Sequence, residues 1–192
     1  MAFQRRSPSC GGACAAPAAL ATALMLSAAP PNASGTTAVL GISASVAANC
    51  VISASALSFG QYESVLANAT APLNASGAVS IACTKGATPR ISMDLGQNAN
   101  AGKRYMARVA ATGPGGTGAL NYELYQPPSP TPGQACAFPG TTFWGSSAGD
   151  SFTPGAPLSR VERTYSVCGT IPPGQLVAMG SYADTVVATV NF

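Results

Sequence analysis

Apolar and polar residues along most of this chain alternate with a period of two, the signature of strands that bury one face. The clearest case is Tyr182–Phe192, where Val186, Ala188, Val190 and Phe192 fall on one side and Thr185, Val187, Thr189 and Asn191 on the other. β-Branched residues crowd this stretch, as suits a pleated, half-buried surface. The same reading predicts strands over Ala38–Val46, Asn49–Leu57, Ala78–Cys83, Arg90–Leu95, Tyr105–Ala111, Leu120–Tyr125 and Arg163–Val167. Turn formers separate most of them: Lys85-Gly86, Gly96-Gln97-Asn98, Gly113-Pro114-Gly115-Gly116 and Pro172-Pro173-Gly174. Many short strands between Gly and Pro turns predict an all-β sandwich. One long insertion, Gln126–Pro157, is rich in Pro, Gly and Ser, and its Phe143-Trp144-Gly145 is expected to carry the single Trp into the core.

Two of these segments raise a question of partners. A strand ending at Phe192 needs a neighbour on each flank or leaves an exposed edge. Near the other end, Ala38, Leu40, Ile42, Ala44 and Val46 share one face, with Thr37, Gly41, Ser43 and Ser45 opposite; Val39 alone breaks the polar row. This segment reads either as the first strand of the sandwich or as a strand meant for another molecule's groove, which is β-strand addition. Periodicity alone does not separate the two.

The N-terminus adds a targeting signal rather than structure. Arg5 and Arg6 precede an apolar run over Ala15–Ala29, and Ser27-Ala28-Ala29 offers small residues for cleavage. Residues 1–29 are therefore expected to be a cleaved signal peptide, residues 30–45 an N-terminal extension, and residues 46–192 one domain. The apolar run is too short for a membrane span, and no later stretch approaches the roughly 20 residues a span needs, so no transmembrane segment is expected in the mature chain.

Beyond residue 29 the chain has seven cationic and six acidic side chains, a net charge of +1. That leaves no basic footprint for nucleic acid. Lys103-Arg104-Tyr105 is the one small basic cluster that offers a contact for an acidic surface. The chain has no histidine, which excludes Ser-His-Asp and Cys-His nucleophiles. The carboxylates are scattered. Asp184 is expected to stabilise a turn or pair with an Arg, and Asp94 to lie on a solvated face. No phosphate loop, metal constellation or cofactor motif is found, so no catalytic, metal or cofactor residues are expected and the protein reads as non-enzymatic. Sequons at Asn32, Asn68 and Asn74 are read as chance in a chain this rich in Ala, Ser, Thr and Asn.

Cys50, Cys83, Cys136 and Cys168 follow the signal, and four cysteines in an exported chain read as two disulfides. A four-cysteine zinc site brings its ligands in as close pairs, and none of these is near another. Three connectivities are possible; Cys50–Cys83 with Cys136–Cys168 is the favoured one. The first would close a loop of about 33 residues, stabilising by roughly 3 to 4 kcal/mol on the chain-entropy view.

Several ordered segments together resemble the spore coat protein U domain family, which includes the pilins of archaic chaperone–usher pili. They are Val46-Ala-Ala-Asn-Cys50, Leu57-Ser-Phe-Gly-Gln-Tyr62, Val79-Ser-Ile-Ala-Cys83-Thr84 and Ile91-Ser-Met-Asp-Leu-Gly96. Leu120-Asn-Tyr-Glu-Leu-Tyr125, Trp144-Gly145, Tyr165-Ser-Val-Cys-Gly169, Ile171-Pro-Pro-Gly-Gln175 and Gly180-Ser-Tyr-Ala-Asp-Thr185 complete the set. The resemblance implies an incomplete immunoglobulin-like β-sandwich, the pilin fold, completed by donor-strand complementation. It implies a disulfide between Cys50 and Cys83 on the first two strands. By position it makes Ala38, Leu40, Ile42 and Ala44 the donor strand. Val186, Ala188, Val190 and Phe192 become the edge of the acceptor groove, where a chaperone would dock. Cys168 stands where relatives usually carry an aromatic residue, and the insertion around Cys136 is unusual; a second disulfide pinning that insertion reconciles both departures. The implied partners are a periplasmic pilus chaperone, an outer-membrane usher and other pilin subunits. The implied location is a cell-surface pilus reached through the periplasm, and the implied role is attachment and biofilm formation. The alternative is a self-contained secreted coat or matrix protein, or a carbohydrate-binding β-sandwich.

Overall fold

The computed structural model describes residues 34–109 and 118–192. The signal peptide, the sequon at Asn32 and the Gly113–Gly116 turn lie outside the described residues. The chain forms two units, residues 1–43 and 44–192. In the first, residues 34–43 carry no assigned strand or helix and every residue is exposed. The strand expected over Ala38–Val46 is therefore absent as such: a single β segment has no ladder partner to hold it.

The second unit is almost wholly β. Its strands are β1 (Cys50–Ser55), β2 (Leu73–Cys83), β3 (Arg90–Met93), β4 (Arg104–Arg108), β5 (Ala119–Tyr125), β6 (Arg163–Ile171), β7 (Tyr182–Ala183) and β8 (Ala188–Asn191). A six-stranded sheet runs β1-β2-β6-β5-β4-β7, and a second sheet pairs β3 with β8. All these pairings are antiparallel. The sheets close over Val79, Ile81, Ile91, Trp144 and Tyr165, each fully buried. The indole Nε1 of Trp144 donates to the Ile91 carbonyl at 2.9 Å, so the one polar atom of that large side chain is paired. β2 is longer than its sequence suggests. Leu73-Asn-Ala-Ser-Gly77 lacks β-formers but is held in register against β6, from Leu73 opposite Ile171.

Cys50 and Cys83 are direct cross-strand partners and are bonded, with Cα atoms 4.1 Å apart. Cys136 and Cys168 form the second disulfide. That bond pins the 126–157 insertion onto the outer face of β6. Beside it, Gly133 N donates to Thr164 O and Ser166 Oγ to Gln134 O. The insertion then returns along β3. Met93 N donates to Gly145 O at 2.9 Å, and Ile91 and Phe152 exchange two backbone bonds of 2.8 Å. The insertion thus seals one edge of the small sheet.

The expected strand Tyr182–Phe192 is broken in two. β7 pairs with β4 in the large sheet and β8 with β3 in the small one, so the chain changes sheets over Asp184–Val187. Carboxylates hold the crossing. Asp94 Oδ1 accepts from Val187 N at 2.9 Å and Gly96 N at 3.0 Å. Asp184 accepts from Asn98 N and Nδ2. Gly96 has φ 84°, and a Cβ there would lie 1.9 Å from Asp184 Oδ2, so only glycine lets the Gly96–Asn98 turn approach so closely.

Candidate functional site

The large sheet starts at β1 and the small sheet has β8 at one edge, and among the described residues neither strand has a second ladder partner. Thr84 N donates to Asn49 O at 2.8 Å, so residues 49, 51, 53 and 55 turn their backbone groups toward β2. Antiparallel alternation then leaves the amides and carbonyls of Cys50, Ile52 and Ala54 on the free edge. Asp94 N donates to Val187 O at 3.1 Å, so Val187, Thr189 and Asn191 face β3. Val186, Ala188 and Val190 face the other way, onto the second free edge. In both strands the residues with free backbone groups are those whose side chains point inward: Cys50, Ile52, Val186, Ala188 and Val190 all pack against the core.

β1 and β8 approach each other along part of their length, and toward the Ala54–Ala188 end the core between them lies open. A cavity of about 470 Å³ is bounded by Ala54–Leu57 on one side and Tyr182–Val186 with Ala188 on the other, with Met93, Tyr122, Leu124 and Val167 as its floor. A second cavity of about 720 Å³ shares Leu57, Phe59, Met106 and Tyr182 with the first and runs toward the Gly60–Leu66 loop. Gly169 shapes this wall, since a Cβ there would come within 2.7 Å of the Phe59 ring. Val65, Leu66 and Met179 stand exposed at its rim.

One polar group is built into this apolar slot. Asp184 Oδ2 accepts from the Tyr122 hydroxyl at 2.6 Å. Burial, reinforced by that hydrogen bond, pushes the Tyr122 phenol well above its ordinary range, so it stays protonated and donates. Arg104 packs nearby and donates to the carbonyls of Asp94 and Trp144 at 2.7 and 2.6 Å. Burial pulls its pKa down. Arg104 is only 2 % exposed, so the expected basic contact at Lys103-Arg104-Tyr105 is corrected: its central cation is an internal strut. Among the described residues no three His, Cys, Asp or Glu side chains gather as a metal site.

The expected site residues divide clearly. Val186, Ala188 and Val190 flank the slot, whereas Phe192 lies past the end of β8 and is 52 % exposed. Ala38, Leu40, Ile42 and Ala44 have no strand pairing. The opposite edge, Cys50-Ile52-Ala54, and the Asp184–Tyr122 pair were not singled out from sequence. The first was legible in the alternation of Asn49–Leu57; the second joins residues 62 apart and leaves no local signal. Asp184 does stabilise a turn, as expected, through Asn98. Asp94 is exposed, as expected, but its carboxylate is also a backbone acceptor. The sequon asparagine Asn68 is 5 % exposed and holds Glu63 N and Ala71 O with its own amide.

Two sheets, a disulfide within the large sheet, another clamping an insertion, and two unpaired edges facing one cleft define an open-sided β-sandwich. The chain belongs to the Spore Coat Protein U domain family, whose pattern matches residues 36–189. It is 31 % identical over 190 residues to Protein U of Myxococcus xanthus, covering 91 % of this chain and 95 % of that protein. Two solved structures are similar at lower identity. One is the CsuC–CsuE chaperone–tip adhesion subunit pre-assembly complex from archaic chaperone–usher Csu pili of Acinetobacter baumannii. It is 21 % identical, covers 77 % of this chain and 40 % of that one, and has a TM-score of 0.49. The other is the minor tip subunit HdaB of the E. coli Hda pilus, 14 % identical, covering 73 % and 79 %, with a TM-score of 0.38.

Proposed function

We propose that this chain is a structural, non-enzymatic subunit of an exported adhesive pilus of the chaperone–usher type. Subunits join by donor-strand exchange: residues 36–46 of one copy enter the slot between β1 and β8 of the next. A periplasmic chaperone lends a strand to the same slot before assembly, an outer-membrane usher passes the fibre outward, and the fibre serves attachment and biofilm formation.

The observation that carries this reading is the pair of free edges over an open core. An unpaired row of backbone groups is a template for another strand. Here two such rows face each other with an apolar floor between them, which asks for a strand with one apolar face. The extension has one, with Leu40 and Ile42 as its large members, 82 % and 88 % exposed. Burying each would stabilise by about 1.5 to 3 kcal/mol, and each backbone hydrogen bond on either flank adds about 0.5 to 1.5 kcal/mol net. Deleting residues 36–45 is expected to give a chain that still folds with chaperone but adds no further copy to itself. Fibres formed by that truncated chain would refute donor-strand exchange.

A further inference from the structure

The outer face of the large sheet carries an aromatic pair and a charged pair, away from the slot, that strand exchange leaves unused. Leu120, Tyr122 and Leu124 of β5 are buried in the core, so Glu123 and Tyr125 point outward. Phe143 bridges to Tyr125, and their rings stack with centroids 4.9 Å apart. Lys103 precedes Arg104, which faces Tyr122, so it falls opposite Glu123. We propose that Phe143, Tyr125, Glu123 and Lys103 form a shallow site for a neutral β-linked glycan. One pyranose ring stacks on the Phe143 ring, and its hydroxyls bond Glu123 and Lys103.

The phenyl ring is exposed but firmly held. Phe143 is 54 % exposed, while the next residue, Trp144, is fully buried. Trp144 N donates to Leu124 O and Gln126 N to Thr142 O, both at 2.9 Å, and Gln126 Nε2 donates to Phe143 O at 3.1 Å. The insertion locks Tyr125 in turn. Its β6 partner Cys168 carries the disulfide to Cys136, and a Cβ on Gly140 would lie 2.2 Å from Tyr125 Cγ. An aromatic fixed before its ligand arrives loses little entropy on binding. Glu123 is the second unspent group. Burial lifts its carboxyl pKa above the ordinary range, opposed through space by Arg104 and Lys103, and no hydrogen bond reaches it among the described residues. A half-desolvated carboxylate of this kind gains from a ligand hydroxyl.

The chemistry of the patch selects its ligand. β5 lies between β4 and β6, so its backbone groups are spent and the face offers side chains alone, unlike an edge that adds a strand. One cation and one carboxylate cancel, which leaves no net charge to draw a nucleic acid or a polyacid. Beyond Glu123 the row continues across β6 and β2 with Thr170 and Asn74, whose side chains are hydrogen-bonded at 2.9 Å. A flat ring beside carboxylate, hydroxyl and amide groups suits a molecule with a C–H face and a hydroxyl rim. A β-linked pyranose with equatorial hydroxyls is such a molecule.

The test is calorimetric titration of the full-length chain with cellotetraose and chitotetraose, two neutral β-linked probes, and with tetragalacturonate as the charged comparison. Saturable binding of at least one neutral probe is expected, and none of the acid. Phe143→Ala and Glu123→Gln should each weaken that binding about tenfold or more. Phe143→Leu, which keeps bulk against Tyr125 but removes the aromatic face, should weaken it too. Val161→Ala, at an exposed position outside the patch, should leave it unchanged. Near-UV circular dichroism checks that each variant keeps the packed core around Trp144. No binding of either neutral probe overturns the proposal. So does binding of the acid alone, or binding that Phe143→Leu or Glu123→Gln leaves intact. None of these readouts needs fibres to form, so the site is decided separately from donor-strand exchange.

Discussion

Asp184 sits where the chain leaves one sheet for the other, so its carboxylate should govern both stability and the shape of the slot. It accepts from Tyr122 Oη at 2.6 Å, Asn98 Nδ2 at 2.8 Å and Asn98 N at 3.1 Å. A hydrogen bond to a charged group contributes about 1.5 to 3 kcal/mol net. Three bonds sharing one carboxylate do not add fully, so Asp184→Ala is expected to cost about 3 to 4 kcal/mol. Tyr122→Phe removes one bond and should cost about 1.5 to 2 kcal/mol. The double variant should show a coupling energy of about 1 to 1.5 kcal/mol, near a tenfold effect on the unfolding constant. Guanidinium unfolding followed by the fluorescence of Trp144, the only tryptophan, reads all four proteins. Coupling within about 0.3 kcal/mol of zero, below the usual limit of additivity, would refute the claim that this pair holds the crossing.

Other outcomes follow from the same structure. Burial raises the phenol pKa of Tyr122, Tyr125 and Tyr165. Stability should therefore be full below the ordinary tyrosine value of about 10 and fall as pH rises past it, because unfolded phenols ionise first. Alkaline melts should show this loss, and Tyr122→Phe should flatten it without abolishing it. Replacing Cys136 and Cys168 together by Ser should cost about 3 to 4 kcal/mol by chain entropy, and limited proteolysis should then cut first within 126–142. Arg104→Lys is expected to cost about 2 to 3 kcal/mol in thermal melts, because one ammonium does not span the Asp94 and Trp144 carbonyls that the guanidinium joins.

Much of this architecture is legible in the residues, and the failures have physical reasons. Seven of the eight predicted strand regions contain strands, because period-two alternation and β-branched residues report directly on a half-buried sheet. The extension alternates equally well yet forms no strand here, since alternation reports a capacity that only a neighbouring edge realises. The break at Asp184–Val187 is invisible to periodicity. Val186, Ala188 and Val190 keep alternating through it, while Asp94 and Asp184 substitute side-chain oxygens for ladder partners. Arg104 looks like a surface cation because its acceptors, the Asp94 and Trp144 carbonyls, come from distant parts of the chain. One wall of the slot was expected at Val186–Val190. The other, Cys50–Ala54, is legible as an alternating strand, but that it lies across from β8 follows only from the folded sheets.

Backbone amide exchange on the chain lacking residues 36–45, with and without a peptide of residues 36–46, asks most directly whether the slot takes a strand. Adding peptide at about a hundred times its dissociation constant should stabilise the protein by about 2.7 kcal/mol. Protection should appear at the amides of Ile52, Ala54, Ala188 and Val190, while a peptide with Leu40→Ser and Ile42→Ser should leave them exchanging. If those four amides exchange at the same rate whether or not the peptide is present, the free edges are not a strand-binding site.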